Sequence, residues 1–366
     1  MKKLTSSAAV LAATATLTLL SSPANAAAPT PAKAAAMEAS YAVFDRQAGT
    51  FVAEKGSTTQ YRSASIVKLL IAMDLLWDKG TDPQVPAADK AAFDAMLTTS
   101  DDGAATAFWN RGGQSAIVTR MMSRLQLEQT SPPSNSGIWG YTAISPQDTV
   151  KVYRYLLDTA PAGMRTAIMD DLRKPQRCAS DGFEQTFGIP SSFKKPWAVK
   201  QGWSGFGASA NCPTSALAAD PGLGEVDLTR RALHSTGVIG KDDRSIVAIF
   251  TLHPTDTKFA AAYNDITNLT RTLKIPGAEL APLVGPRFST WSTGVKVRSD
   301  ASSKAKQVGT LPESSDVTVK CQKKGEKLTV EGTTNEWWAY LPAYKGYITN
   351  IYVQTPGNKL AGVPDC

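Results

Sequence analysis

The sequence predicts an α+β protein, with a sheet-and-helices domain over 37–275 and a small all-β domain over 288–366. Three observations lead there. Strand-like runs stand at both ends of the first stretch, with helical text between them. A proline-bearing segment, PGAELAPLVGP at 276–286, closes that stretch. Beyond it, short strand-like runs alternate with turns and hold three of the chain's eight tryptophans, Trp291, Trp337 and Trp338. At 366 residues, 42% hydrophobic and 19% charged, the chain can build two cores.

Taken in order, Lys2 and Lys3 precede an apolar run at 8–20 that leads into Ser21-Ser22-Pro23-Ala24-Asn25-Ala26. A charged start, a short apolar core and an A-x-A site form a secretory signal over 1–26, cleaved after Ala26. The run is too short to cross a bilayer, and no later stretch is long and apolar enough. The expectation is a secreted protein, extracellular or cell-wall associated, with no membrane span. Residues 27–36 read as a flexible leader. Strands are expected at 39–44 and 50–53, joined by a turn at 45–49. From Ser65 to about Trp77, SIVKLLIAMDLLW is apolar almost all round, so this helix belongs inside a domain. Helical text continues to about 174, broken at Ser131-Pro132-Pro133-Ser134. Strand-like runs return at 197–200, 232–238 and 245–252, and a last helix covers about 258–273. The sheet should therefore collect strands from both ends of the domain, with 276–287 as a linker.

Lys plus Arg number 39 and Asp plus Glu 32, a net +7 that is spread along the chain rather than run together. No nucleic-acid partner is expected from that pattern. Only two histidines occur, His234 and His253, which argues against a histidine-built zinc site and a Ser-His-Asp triad. No metal and no cofactor is expected, and any chemistry falls to Ser, Lys, Asp or Tyr. Four cysteines in an exported chain point to disulfides. Of the three possible pairings, Cys178–Cys212 with Cys321–Cys366 is preferred, because each pair then lies within one expected domain.

The strongest chemical signal is Ser65-Ile66-Val67-Lys68, an S-x-x-K at the start of the apolar helix. Three residues apart on a helix, both side chains share a face. Ser65 would sit where free N–H groups favour developing negative charge. Lys68, desolvated by its Ile, Val and Leu neighbours, would have a lowered pKa and accept the serine proton. The competing interpretation is an N-cap serine with a snorkelling lysine. Further on come Ser100-Asp101-Asp102, ahead of another helical segment, and Lys200-Gln201-Gly202 at a strand end, followed by Trp203.

In that order these motifs resemble the S-x-x-K, S-D-N, K-T-G trio of the serine β-lactamase (class A) and D,D-peptidase (penicillin-binding protein) superfamily, over about 38–275. The resemblance implies the sheet-and-helices fold of that superfamily. It implies Ser65 as acylated nucleophile and Lys68 as proton acceptor. It gives Ser100 the proton relay to the leaving group and Lys200 the charge that holds that hydroxyl and a substrate carboxylate. Backbone N–H groups of Ser65 and Trp203 would form an oxyanion hole beside Gly202. Asp102 replaces an Asn, so it only accepts hydrogen bonds, and its charge beside Lys68 should keep that amine protonated. Gln201 replaces a Thr, and its amide can still donate to the substrate but is longer and would reshape the pocket. The loop glutamate that class A β-lactamases use for deacylation has no clear counterpart, Glu128 lying ahead of the comparable loop. Trp139 and Tyr141 are expected as packing residues.

The tail, over about 290–354, is similar to secreted bacterial SH3-like domains: Val295-Lys296-Val297-Arg298-Ser299 opens it, then Gly309-Thr310-Leu311, Trp337-Trp338-Ala339-Tyr340 and Gly346-Tyr347-Ile348. That resemblance implies binding to the cell wall through 288–366. The combined expectation is a secreted serine acyl-enzyme hydrolase acting on peptidoglycan-like D-Ala-D-Ala peptides, a β-lactam-like substrate, or a related amide or ester. The alternatives are a β-lactamase proper and a catalytically impaired wall-binding protein.

Overall fold

In the computed structural model, the described residues are 36–206, 212, 226–311, 314–355 and 357–366. The expected signal and most of the leader lie outside them. The chain opens with an antiparallel hairpin, β1 (Glu38–Asp45) and β2 (Thr50–Lys55), turned at Gly49 with φ +71°. A two-residue strand β3 (Tyr61–Arg62) leads into a 3₁₀ turn over Ala64–Val67. The helical run follows: α1 (Lys68–Leu76), α2 (Lys90–Thr98), α3 (Asp102–Arg111) and α4 (Ser115–Leu125). After β4 (Ala143–Ile144), which pairs with β3, come α5 (Pro146–Asp158), α6 (Ala162–Leu172) and the single turn α7 (Ile189–Ser192). Strands β5 (Trp197–Ser204), β6 (Arg231–Ile239) and β7 (Ser245–His253) precede α8 (Phe259–Thr272).

These strands form one antiparallel sheet in the order β2-β1-β7-β6-β5, so the first strand pairs with the last along its whole length. The architecture is α+β, with strands drawn from both ends as the sequence implies. Alternation along β1 explains its place. Ala42 and Phe44 face a core built with α1 to α6, and Val43 faces a second core built with α8. With helices on both faces, β7 is buried at every position, which is why its centre, 246–250, reads as an unbroken apolar run.

Two expectations change. The helix expected from Ser65 begins as a tight 3₁₀ turn, entered through Ala64 at φ +45°. Lys200 is not at a strand end: β5 continues through Gln201, Gly202 and Trp203, each paired with β6.

Residues 276–287 do not run free. Ala281 N–H bonds the Ser192 carbonyl, Lys194 N–H the Glu279 carbonyl, and Lys194 pairs with the Glu279 carboxylate. The tail then forms β8 (Arg287–Ser289), β9 (Val295–Arg298), β10 (Gln307–Leu311), β11 (Asp316–Thr318), β12 (Cys321–Val330), β13 (Thr333–Leu341) and β14 (Gly346–Thr349). A five-stranded antiparallel sheet, β10-β9-β14-β13-β12, and the β11-β8 ribbon surround a third apolar cluster. Both preferred disulfides are present, Cys178–Cys212 and Cys321–Cys366. Among the described residues no helix is long and apolar enough to cross a membrane.

Candidate active site

The 3₁₀ turn carrying Ser65 is fixed from two sides. Ser63 N–H bonds the Thr142 carbonyl at 2.7 Å, and β5 packs against the turn at Gly202. A Cβ on Gly202 would lie 3.0 Å from the Ser63 carbonyl and 3.2 Å from Ile66, so only glycine lets the edge strand approach this closely. Ser65 is 5% exposed, and its hydroxyl makes no hydrogen bond among the described residues. It is not an N-cap.

One turn on, Lys68 is fully buried, so the snorkelling alternative fails. Its Nζ donates to the Ser100 carbonyl at 2.6 Å, to Ser100 Oγ at 3.2 Å and to Asp102 Oδ1 at 2.6 Å, and lies 4.7 Å from the centre of the Trp139 ring. Burial pushes the Lys68 amine below the ordinary lysine range, and the attraction of Asp102 recovers only part of that. Asp102 is more than half exposed, so its charge is screened by water, whereas the desolvation of Lys68 is complete.

Ser100 sits between α2 and α3 with φ +54°, a conformation disfavoured for a residue with a Cβ. It persists because Asp101 caps α3, accepting from Ala104 N–H at 2.7 Å, while Lys68 grips the Ser100 carbonyl. From the opposite side, Lys200 Nζ donates to Ser100 Oγ at 2.8 Å and to the Gln201 carbonyl at 3.0 Å. Lys200 is 1% exposed; burial, then repulsion from Lys68, holds its amine well below the ordinary range. One hydroxyl therefore bridges two buried amines.

Gln201 is in the same place but does not point a donor at the site. Its amide donates to the carbonyls of Gln185 at 3.3 Å and Phe187 at 2.6 Å, correcting the expectation that it donates to a substrate. Trp203 stacks on Phe183, centroids 4.9 Å apart, and its indole N–H donates to Asp181 Oδ2 at 2.9 Å. Glu128 is exposed and 3.8 Å from Lys151.

Two groups were missed from sequence. Trp139, expected as packing, lies over Lys68. Asp181 belongs to the 176–187 segment, which Cys178–Cys212 ties down and which hydrogen-bonds across the site: Ser180 N–H to the Thr99 carbonyl at 2.9 Å, Asp181 to Trp203. Among the described residues no cluster of three or more His, Cys, Asp or Glu side chains comes together as a metal site.

Fold and site define an α+β protein with a hydrogen-bonded Lys68–Ser100–Lys200 cluster and Ser65 on the turn that leads into Lys68. No family model matches the chain. Among solved structures it is similar to a point mutant of PBP-A in acyl-enzyme complex with penicillin G, at 14% identity and TM-score 0.46, covering 64% of this chain and 89% of that one. It is also similar to an ancestral class A β-lactamase, at 16% identity and TM-score 0.45, covering 64% and 92%. The sequence is 38% identical over 249 residues to LppW of Mycobacterium tuberculosis and of Mycobacterium bovis, proteins named as lipoproteins, covering 66% of this chain and 71% of theirs. The chain belongs to the LppW family.

Proposed function

We propose that this protein is an exported serine acyl-enzyme hydrolase of the β-lactamase/D,D-peptidase type, acting on a peptidoglycan-type peptide amide or a related ester. The observation that carries the proposal is the Ser100 hydroxyl held between two buried lysines, the first of them one turn on from Ser65, whose hydroxyl has no partner among the described residues. In the reaction Ser65 Oγ attacks the acyl carbon and its proton passes to neutral Lys68 Nζ. The C–N or C–O bond to the leaving group then breaks, and the leaving atom takes a proton through Ser100 Oγ. Water hydrolyses the Ser65 ester and restores the enzyme. Lys200 holds Ser100 and offsets developing negative charge.

The lipoprotein name of the LppW relatives supports a place in the cell envelope. In this chain all four cysteines are in disulfides, which leaves no thiol for a lipid. The tail as an SH3-like wall-binding module remains part of the proposal. It is supported by lysines over partly buried rings, Lys323 on Tyr347 and both Lys324 and Lys359 on Trp337.

The test is incubation of the full chain with a fluorophosphonate and with a fluorescent penicillin, followed by mass spectrometry. An adduct on Ser65 with either reagent, absent in Ser65→Ala, is expected. No adduct with either would leave the impaired wall-binding alternative in its place.

A further inference from the structure

The candidate site is short of hydrogen-bond donors. Lys68 Nζ is already engaged with three groups, the Ser100 carbonyl, Ser100 Oγ and Asp102, and has no N–H to spare in either protonation state. Lys200 has two of its three committed, to Ser100 Oγ and the Gln201 carbonyl. The Gln201 amide hydrogens go to the 185 and 187 carbonyls, and the Trp203 indole N–H goes to Asp181. His234, opposite Gly202 on β6, is buried, and burial holds its pKa down at about 3, so it supplies no cation. Of these N–H groups one, on Lys200, remains, beside the O–H groups of Ser65 and Ser100.

Acceptors are in surplus. Asp181 takes one bond on each oxygen, from Phe183 N–H at 2.9 Å and from Trp203 Nε1 at 2.9 Å, leaving a free lone pair on each. Asp102 has one oxygen on Lys68 and the other unbonded among the described residues. Asp181 is only half-buried, and its segment is anchored to Thr99 on the Ser100 side and to Trp203 on the Lys200 side. The Ser65 hydroxyl, nearly sealed and unpartnered, sits on the turn that packs against the same strand. A carboxylate arriving here would meet one free lysine N–H and two hydroxyls, against the like charges of Asp102 and Asp181. An ammonium would meet the surplus acceptors.

We propose that Asp181 selects the leaving group: the site takes acyl donors whose leaving group ends in an ammonium and turns away those ending in a carboxylate. The proposal rests on the acyl-transfer function above and names its substrate class, an amide or ester whose leaving portion bears a free amine, as a diamino-acid residue does. It sets a free D-alanine carboxylate aside. Burial pushes the Asp181 carboxyl up from the ordinary aspartate range, so the carboxylate is poorly solvated and gains from a cationic partner.

Three aryl esters of hippuric acid test it on the full chain: 4-(aminomethyl)phenyl, 4-carbamoylphenyl and 4-carboxyphenyl. Ser65 acylation is timed by intact mass spectrometry, and each rate is divided by the ester's alkaline hydrolysis rate. The aminomethyl ester should react about tenfold or more faster than the carboxy ester, since like charges brought together are strongly disfavoured. Asp181→Asn, which keeps the shape, should bring that ratio close to one. A wild-type ratio at or below one overturns the proposal without any variant, as does a ratio that Asp181→Asn leaves unchanged. A Ser65 adduct with the fluorophosphonate but with none of the esters also overturns it and leaves acyl transfer standing. No adduct with any reagent overturns the acyl-transfer function itself.

Discussion

Lys68 and Asp102 pull the same proton in opposite directions. Burial lowers the lysine pKa and the aspartate raises it, and burial wins. As a general base Lys68 works when neutral, so Ser65 labelling should rise with pH and level off below the ordinary lysine range. Asp102→Asn removes the group that favours the charged amine. Its labelling profile should therefore start to rise at a lower pH than wild type, whereas a profile moved to higher pH would contradict this assignment. Lys68→Met should slow labelling by about 10³-fold, the usual scale for loss of a general base. Labelling rates from pH 5 to 10 check both.

At the scale of elements, the edge strand β5 and the Ser65 turn form the site by contact, and glycine at 202 permits that contact. Gly202→Val should push the turn away, slowing Ser65 labelling about 100-fold while costing about 1–3 kcal/mol of stability. Labelling kinetics with denaturant unfolding check it, and a variant that labels at the wild-type rate would show that the close approach is not needed. Three parts of the cluster were legible in sequence because each is a short local motif: Ser65-x-x-Lys68, Ser100, and Lys200 before Gly202. β7 was legible because two helical layers require an apolar run. Asp181 was not, for nothing local marks it: two distant hydrogen bonds and a disulfide bring it to the site. Nor was the fate of the Gln201 amide, which depends on carbonyls 14 and 16 residues back in the chain. The extension of β5 past Lys200 was hidden because Gln201 and Gly202 are poor strand formers, held there by pairing with β6.

Across the whole molecule, a buried ion pair among the described residues ties the tail to the segment that carries Asp181. Arg287, the first residue of β8, meets Glu184 at 2.6 and 2.8 Å, stacks on Tyr263 and is bonded through its backbone to Asn264 of α8. Burial pushes the Glu184 carboxyl up, but Arg287 outweighs it and holds the pKa at about 2. A depressed carboxylate pKa stabilises the fold above the unfolded value, so this contribution is lost as pH falls from about 4.5 to about 2. Arg287→Met deprives the buried Glu184 carboxylate of its closest cation and should cost about 3–5 kcal/mol at pH 7. The deficit should shrink at pH 3, where that carboxyl is then protonated. Urea unfolding at the two pH values checks it, and an equal loss at both would place the effect in packing instead.

The Cys178–Cys212 bridge closes a stretch of 34 residues and so adds about 4 kcal/mol by chain restriction. It also begins three residues before the aspartate assigned to discrimination. Closure of the bridge and the maturation of substrate choice thus become one event: a reduced copy would hold its sheet and its lysines but not yet know which acyl donors to refuse.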